Sequence, residues 1–96
     1  MNRAAPLAVA ALPGQLTLHT AGQTLGQLSE ALAKQPGPCV TLDAQALRVF
    51  DSSAVAVLLE LRRDLLAQGK TLRVKHWPQR LEALVTLYGV SELLHA

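Results

Sequence analysis

Apolar positions recur at two periods along the chain, and each switch between them marks an element. Leu7 to Leu12 reads as a first strand, closed by the turn pair Pro13-Gly14. From Gln15 to Thr20 the pattern alternates, with Leu16 and Leu18 on one face and Thr17 and His19 on the other, so two strands around Pro-Gly predict a hairpin. The period then becomes helical: Ala21, Leu25, Leu28 and Leu32 predict a helix that Pro36-Gly37-Pro38 ends. Cys39 to Asp43 is a third strand with Val40 and Leu42 inward, and Ala44 to Phe50 links it to the next helix.

That helix is the longest feature. Asp51 or Ser52 can cap its first turn, and Gln68-Gly69 ends it. Ala54 to Leu59 is apolar on every side, whereas the second half sets Leu61, Leu65 and Leu66 against Glu60, Arg62, Arg63 and Asp64. A sheet covers only one side of a helix, so a neighbouring helix or another protein must cover the rest of the apolar half. By helical spacing Leu58, Leu61 and Leu65 form a core stripe, and Val55, Leu59 and Arg62 form a face about 100° away that is a candidate contact surface.

Thr71 to His76 is the fourth strand, with Leu72 and Val74 inward and Arg73 and Lys75 outward. Strands covered on both faces would be continuously apolar, so this alternation predicts helices on one face and water on the other. Pro78 opens a helix whose stripe is Leu81, Leu84, Val85 and Tyr88, with the Tyr88 ring inward, and Gly89 ends it. Ser91 to Leu94 adds a last short turn. The order predicts a single domain over residues 1–96, a two-layer α/β sandwich with a mixed four- to five-stranded sheet and helices on one face.

Composition narrows the function. A chain of 96 residues, half of them apolar, can bury one core without disulfides or metal. The net charge is +2 and the aromatics are only Phe50, Trp77 and Tyr88, so neither a basic patch nor a stacking platform for nucleic acid is present. The single Cys39 has no metal-ligand neighbours and reads as a small core residue; one unpaired cysteine fits a reducing compartment. No apolar run reaches the ~18 residues of a membrane span, and Pro6, Pro13 and Gly14 break up the N-terminal stretch, so a cytoplasmic domain is expected.

The run Val40-Thr41-Leu42-Asp43, seven residues, then Asp51-Ser52-Ser53-Ala54-Val55 resembles the STAS domain, the fold of bacterial anti-sigma factor antagonists. The C-terminal part, with Leu87-Tyr88-Gly89-Val90, is similar to the MlaB group of that family. These are small cytoplasmic STAS subunits of Mla-type ABC transporters, which move phospholipids between the inner and outer membranes of Gram-negative bacteria. The chain departs from the family pattern in carrying Ala54 where Gly is usual. The resemblance implies a non-enzymatic regulatory subunit with no cofactor. It would dock on the ATPase subunit of such a transporter, supporting outer-membrane lipid asymmetry and meeting the inner membrane only through its partner. The alternative it implies is an anti-sigma factor antagonist that an anti-sigma factor kinase controls by phosphorylating Ser52.

On either reading the partner-binding residues are Asp51, Ser52, Ser53, Val55, Leu59 and Arg62. Ser52 is open to two roles: a simple helix cap, or the docking and phosphorylation site, where the helix dipole and free N–H groups would favour a phosphate. A hydrolase built from Ser52, His76 and Asp43 or Asp51 lacks a Gly-x-Ser-x-Gly elbow and an oxyanion loop, and no Gly-rich nucleotide loop is present. Arg62, Arg63 and Arg80 read as a solvated face that can also supply rim contacts to an acidic partner.

Overall fold

The computed structural model describes residues 10–95. Its elements run β1 (Ala10–Ala11), β2 (Gln15–Leu16), α1 (Ala21–Ala33), β3 (Cys39–Asp43), β4 (Val49–Phe50), α2 (Ser53–Ala67), β5 (Thr71–Lys75), α3 (Gln79–Leu87) and α4 (Ser91–His95). Of the predicted first strand, Leu7 to Val9 lies outside the described residues.

Among the described residues five strands form two pieces, a three-stranded sheet in the order β1-β3-β5 and a two-stranded ribbon of β2 and β4. In β3 and β5 the alternation predicted from sequence is realised: Val40, Leu42, Leu72 and Val74 are buried, while Thr71, Arg73 and Lys75 are exposed. The register sets Val40 against Leu72 and Leu42 against Val74, so four aliphatic side chains share one face. The helices cover that face. Leu58, Leu61 and Leu65 of α2 are buried against it, with Leu28 and Leu32 from α1, Leu81 and Val85 from α3, and Leu94 from α4. Each such side chain contributes about 1.5–3 kcal/mol when removed from water. The α/β sandwich with one covered face is thus the fold, and the α2 stripe lies where helical spacing puts it. Among the described residues no helix is long and apolar enough to cross a membrane.

Several local expectations are corrected, Cys39 among them: it starts β3 at an exposed position and is not a core residue. Among the described residues β1 and β2 do not pair as a hairpin: β1 runs parallel to β3, and β2 runs parallel to β4. The Pro13-Gly14 turn carries the chain sideways, because the Gly14 carbonyl accepts from the N–H groups of both Arg48 and Val49. The link predicted from Ala44 to Phe50 therefore holds a strand of its own. The second strand also stops at Leu16, since Thr17 and Thr20 close a turn in which the Thr20 hydroxyl donates to the Thr17 carbonyl and accepts from its N–H. That turn leaves Leu18 73% exposed instead of inward. Tyr88 is corrected as well: it ends α3 at 52% exposure, while Leu81 and Val85 carry the buried stripe.

The helix ends follow backbone chemistry. After α2, Gly69 at φ 77° turns the chain left-handed, its N–H donating to Leu66 and that of Lys70 to Leu65. Gly89 repeats the motif after α3, with Val90 donating to Val85. Beyond α1, Gln35 presents its side-chain amide to β3: Nε2 donates to the Thr41 carbonyl and Oε1 accepts from the Thr41 N–H, both at 2.9 Å. The Lys70 ammonium donates to the Gln35 carbonyl at 2.7 Å, tying this corner to the end of α2. His95 of α4 stacks on Trp77, ring centroids 4.5 Å apart, with its Nε2 at 3.4 Å from a Glu82 oxygen.

Candidate functional site

The short β4 delivers the chain to Asp51, and α2 begins two residues later. Asp51 does the capping: its Oδ1 accepts from the Ser53 N–H at 2.8 Å. Its Oδ2 accepts from the N–H of Leu18 at 3.1 Å, which fastens the loop before α1 to the start of α2. These two backbone donors, Leu18 first, hold the Asp51 carboxyl below its ordinary value. Ser52 occupies the N-cap position, yet its side chain makes no capping hydrogen bond and the residue is exposed. Simple side-chain capping is therefore not made by Ser52, which is exposed at the N-terminal tip of α2.

The remaining first-turn donors are already engaged. Ala54 donates to the Asp51 carbonyl, and Val55 and Ala56 both donate to the Ser52 carbonyl. The free N–H groups expected to favour a phosphate here are thus absent from the Ser53–Ala56 turn, though the helix dipole remains. Positive charge must come from a side chain.

Two grooves flank this tip. One runs between α1 and α2, lined by Leu18, Ala21, Gly22, Leu25, Ser53, Ala56, Val57 and Glu60. It is almost wholly apolar. The other runs between the start of α2 and α3, lined by Phe50, Asp51, Ser52, Arg80, Ala83, Leu84 and Leu87. It mixes apolar side chains with the Arg80 guanidinium, which lies 5.2 Å from the centre of the Phe50 ring.

The sequence-predicted residues divide. Asp51, Ser52 and Ser53 come together at the tip, and Leu59 and Arg62 lie half-buried farther along α2. Val55 is corrected: it is 4% exposed and belongs to the core. The reason is that α1, α3, α4 and β5 all contact α2, so the open line of its first turns is Ser53, Ala56 and Glu60, not the Val55 line. Ala54 is fully buried, so the methyl that replaces the family's glycine points into the core and takes no room from a visitor. Leu18, Ala56, Phe50 and Leu87 are site-lining residues that periodicity alone did not single out. The exposure of Leu18 depends on a side-chain turn, and that of Leu87, at 76%, on where α3 stops.

His76 follows β5 at φ 58°, and its Nδ1 lies 3.2 Å from Asp43 Oδ1. Asp43 accepts from the Gln45 N–H as well, which, with His76, lowers its pKa. The histidine is thus paired at the ends of β3 and β5, and it does not line the Ser52 groove.

Residues 4–95 match the family model described as Mlab, STAS domain, and the chain belongs to the STAS domain family. No curated protein matches the sequence. Among solved structures it is similar to the unphosphorylated anti-sigma factor antagonist SpoIIAA, with a TM-score of 0.68 and 20% identity over 88% of this chain and 73% of that one. It is also similar to a sulfate transporter family protein from Wolinella succinogenes, with a TM-score of 0.70 and 20% identity over 96% of this chain and 75% of that one. At such identity these likenesses establish the fold, and the family is one of binding and regulatory domains.

Proposed function

We propose that this STAS domain is a non-enzymatic regulatory subunit that docks, through the Ser52 end of α2, on the ATPase subunit of an Mla-type ABC transporter for phospholipids. It would reside in the cytoplasm and meet the inner membrane only through that ATPase. The observation that carries this reading is the uncommitted, exposed Ser52 hydroxyl standing between two grooves, with capping handed to Asp51. An exposed tip flanked by one apolar groove and one mixed groove is suited to burial against another protein. The subunit acts by differential binding: it shifts the ATPase only as far as it prefers one of that enzyme's states. Co-expression with the ATPase followed by size exclusion tests this. Co-elution with altered ATP turnover is expected; separate elution with unchanged turnover refutes it.

A second reading is favoured by one observation, the similarity of the fold to SpoIIAA together with the reachable Ser52. On that reading the chain is an anti-sigma factor antagonist whose Ser52 receives a phosphate from an anti-sigma factor kinase. It requires a mass increase of one phosphate after incubation with the kinase and ATP, absent from Ser52→Ala.

A further inference from the structure

We infer that Arg80 is the docking cation of the tip, and that the protein partner brings a carboxylate flanked by apolar side chains into the groove between α2 and α3. The inference deepens the docking reading above and rests on it. Three observations carry it.

The first is that Arg80 pairs with no carboxylate among the described residues. The ion pairs among the described residues join Arg63 to Glu60, His76 to Asp43 and His95 to Glu82. Asp51 lines the same groove, but its two oxygens receive the backbone N–H groups of Ser53 and Leu18.

The second is that Arg80 is placed by a neighbouring ring. Its guanidinium lies over the Phe50 ring with Cζ 5.2 Å from the centroid, a cation–π contact that places the charge at the groove shared by Phe50, Ser52 and Leu87. A planar guanidinium fork matches the two oxygens of a carboxylate better than it matches a single carbonyl.

The third is the lack of competition from the backbone. The N–H groups of the Ser53–Ala56 turn are engaged internally, so the charged donor for an anionic group arriving beside Ser52 is Arg80, which lines the same groove. Leu84 and the 76% exposed Leu87 supply the apolar wall of the same groove, of about 370 Å³. Charge complementarity therefore selects an acidic residue set among apolar ones, and the chain's own net charge of +2 favours an acidic partner over a second copy.

Titration calorimetry of the chain against the purified ATPase subunit, at low and at physiological salt, tests this with Arg80→Glu, Arg80→Lys and Leu87→Ala. Arg80 and Leu87 are exposed, so melting followed by circular dichroism should stay at the wild-type value. Arg80→Glu should weaken binding by roughly tenfold or more and remove most of its salt dependence. Arg80→Lys should recover part of the affinity, because the charge returns without the fork. Leu87→Ala should weaken binding at both salt concentrations alike. Wild-type affinity retained by Arg80→Glu overturns the assignment of Arg80 while leaving ATPase docking standing. No binding by the wild type overturns both. A wild-type dimer in sedimentation that Arg80→Glu dissolves shows a second copy in the groove and overturns the choice of occupant.

Discussion

The Asp51 carboxylate accepts a hydrogen bond from the backbone of Leu18, 33 residues earlier in the chain, at 3.1 Å. Its other oxygen caps α2 through Ser53 at 2.8 Å. One side chain therefore fixes the loop that enters α1 against the start of α2, and so sets the mouth of the apolar groove between them.

That arrangement predicts a pH dependence. The folded pKa of Asp51 is lowered, by the Leu18 N–H first and the Ser53 N–H second. Its stabilising effect is then complete above the unfolded value of about 4 and is lost as pH falls through the lowered folded value. Acid unfolding followed by circular dichroism should show a steeper acid limb for the wild type than for Asp51→Asn. The gap between the two should close at the lowest pH. Parallel acid limbs would mean that the carboxylate is not engaged in solution.

Ser52→Ala should leave stability within about 0.5 kcal/mol, because the hydroxyl makes no capping bond. Loss of a working N-cap would instead cost about 1 kcal/mol. Chemical denaturation separates these outcomes, and the same variant should bind the ATPase subunit less tightly.

A charge on α2 should act oppositely at two adjacent positions. Val55→Arg places a cation in the core at a residue 4% exposed and should unfold the protein. Ala56→Arg, on the exposed line beside the α1 groove, should keep the melting transition and block docking. For comparison, Leu58→Ala should cost about 2–5 kcal/mol, since Leu58 is fully buried. If Val55→Arg folds normally, α2 sits differently on its neighbours.

Gly69→Ala should destabilise the protein by about 1–2 kcal/mol, because φ is 77° at that position. The space around Gly69 is open, so the cost is backbone conformation and not collision. A thermal melt unchanged from wild type would count against the left-handed turn after α2.

The layering of the domain was legible in the sequence because Val40, Leu42, Leu72 and Val74 alternate and Leu58, Leu61 and Leu65 recur at helical spacing. These periods report one-sided burial directly. The pairing of β1 and β2 was not legible, since Pro-Gly between two short apolar runs serves a hairpin or a sideways step equally well. Val55 was misplaced for a related reason: a helix apolar all round carries no phase, and only its neighbours decide which line stays open. At the tip, the Asp51-Ser52-Ser53 run announced a helix start, but which of two adjacent side chains would cap it depended on the distant Leu18 N–H.

The Gln35 side chain bears on a different matter. Its carboxamide has the same donor and acceptor spacing as a peptide unit, and at 2.9 Å it meets Thr41 as a neighbouring strand would. The polar backbone groups of Thr41, in the middle strand of the β1-β3-β5 sheet, are thereby satisfied by a side chain. A single amide, braced through its own carbonyl by Lys70, thus acts as a clasp that holds the crossover from α1 to β3 against the sheet and the end of α2.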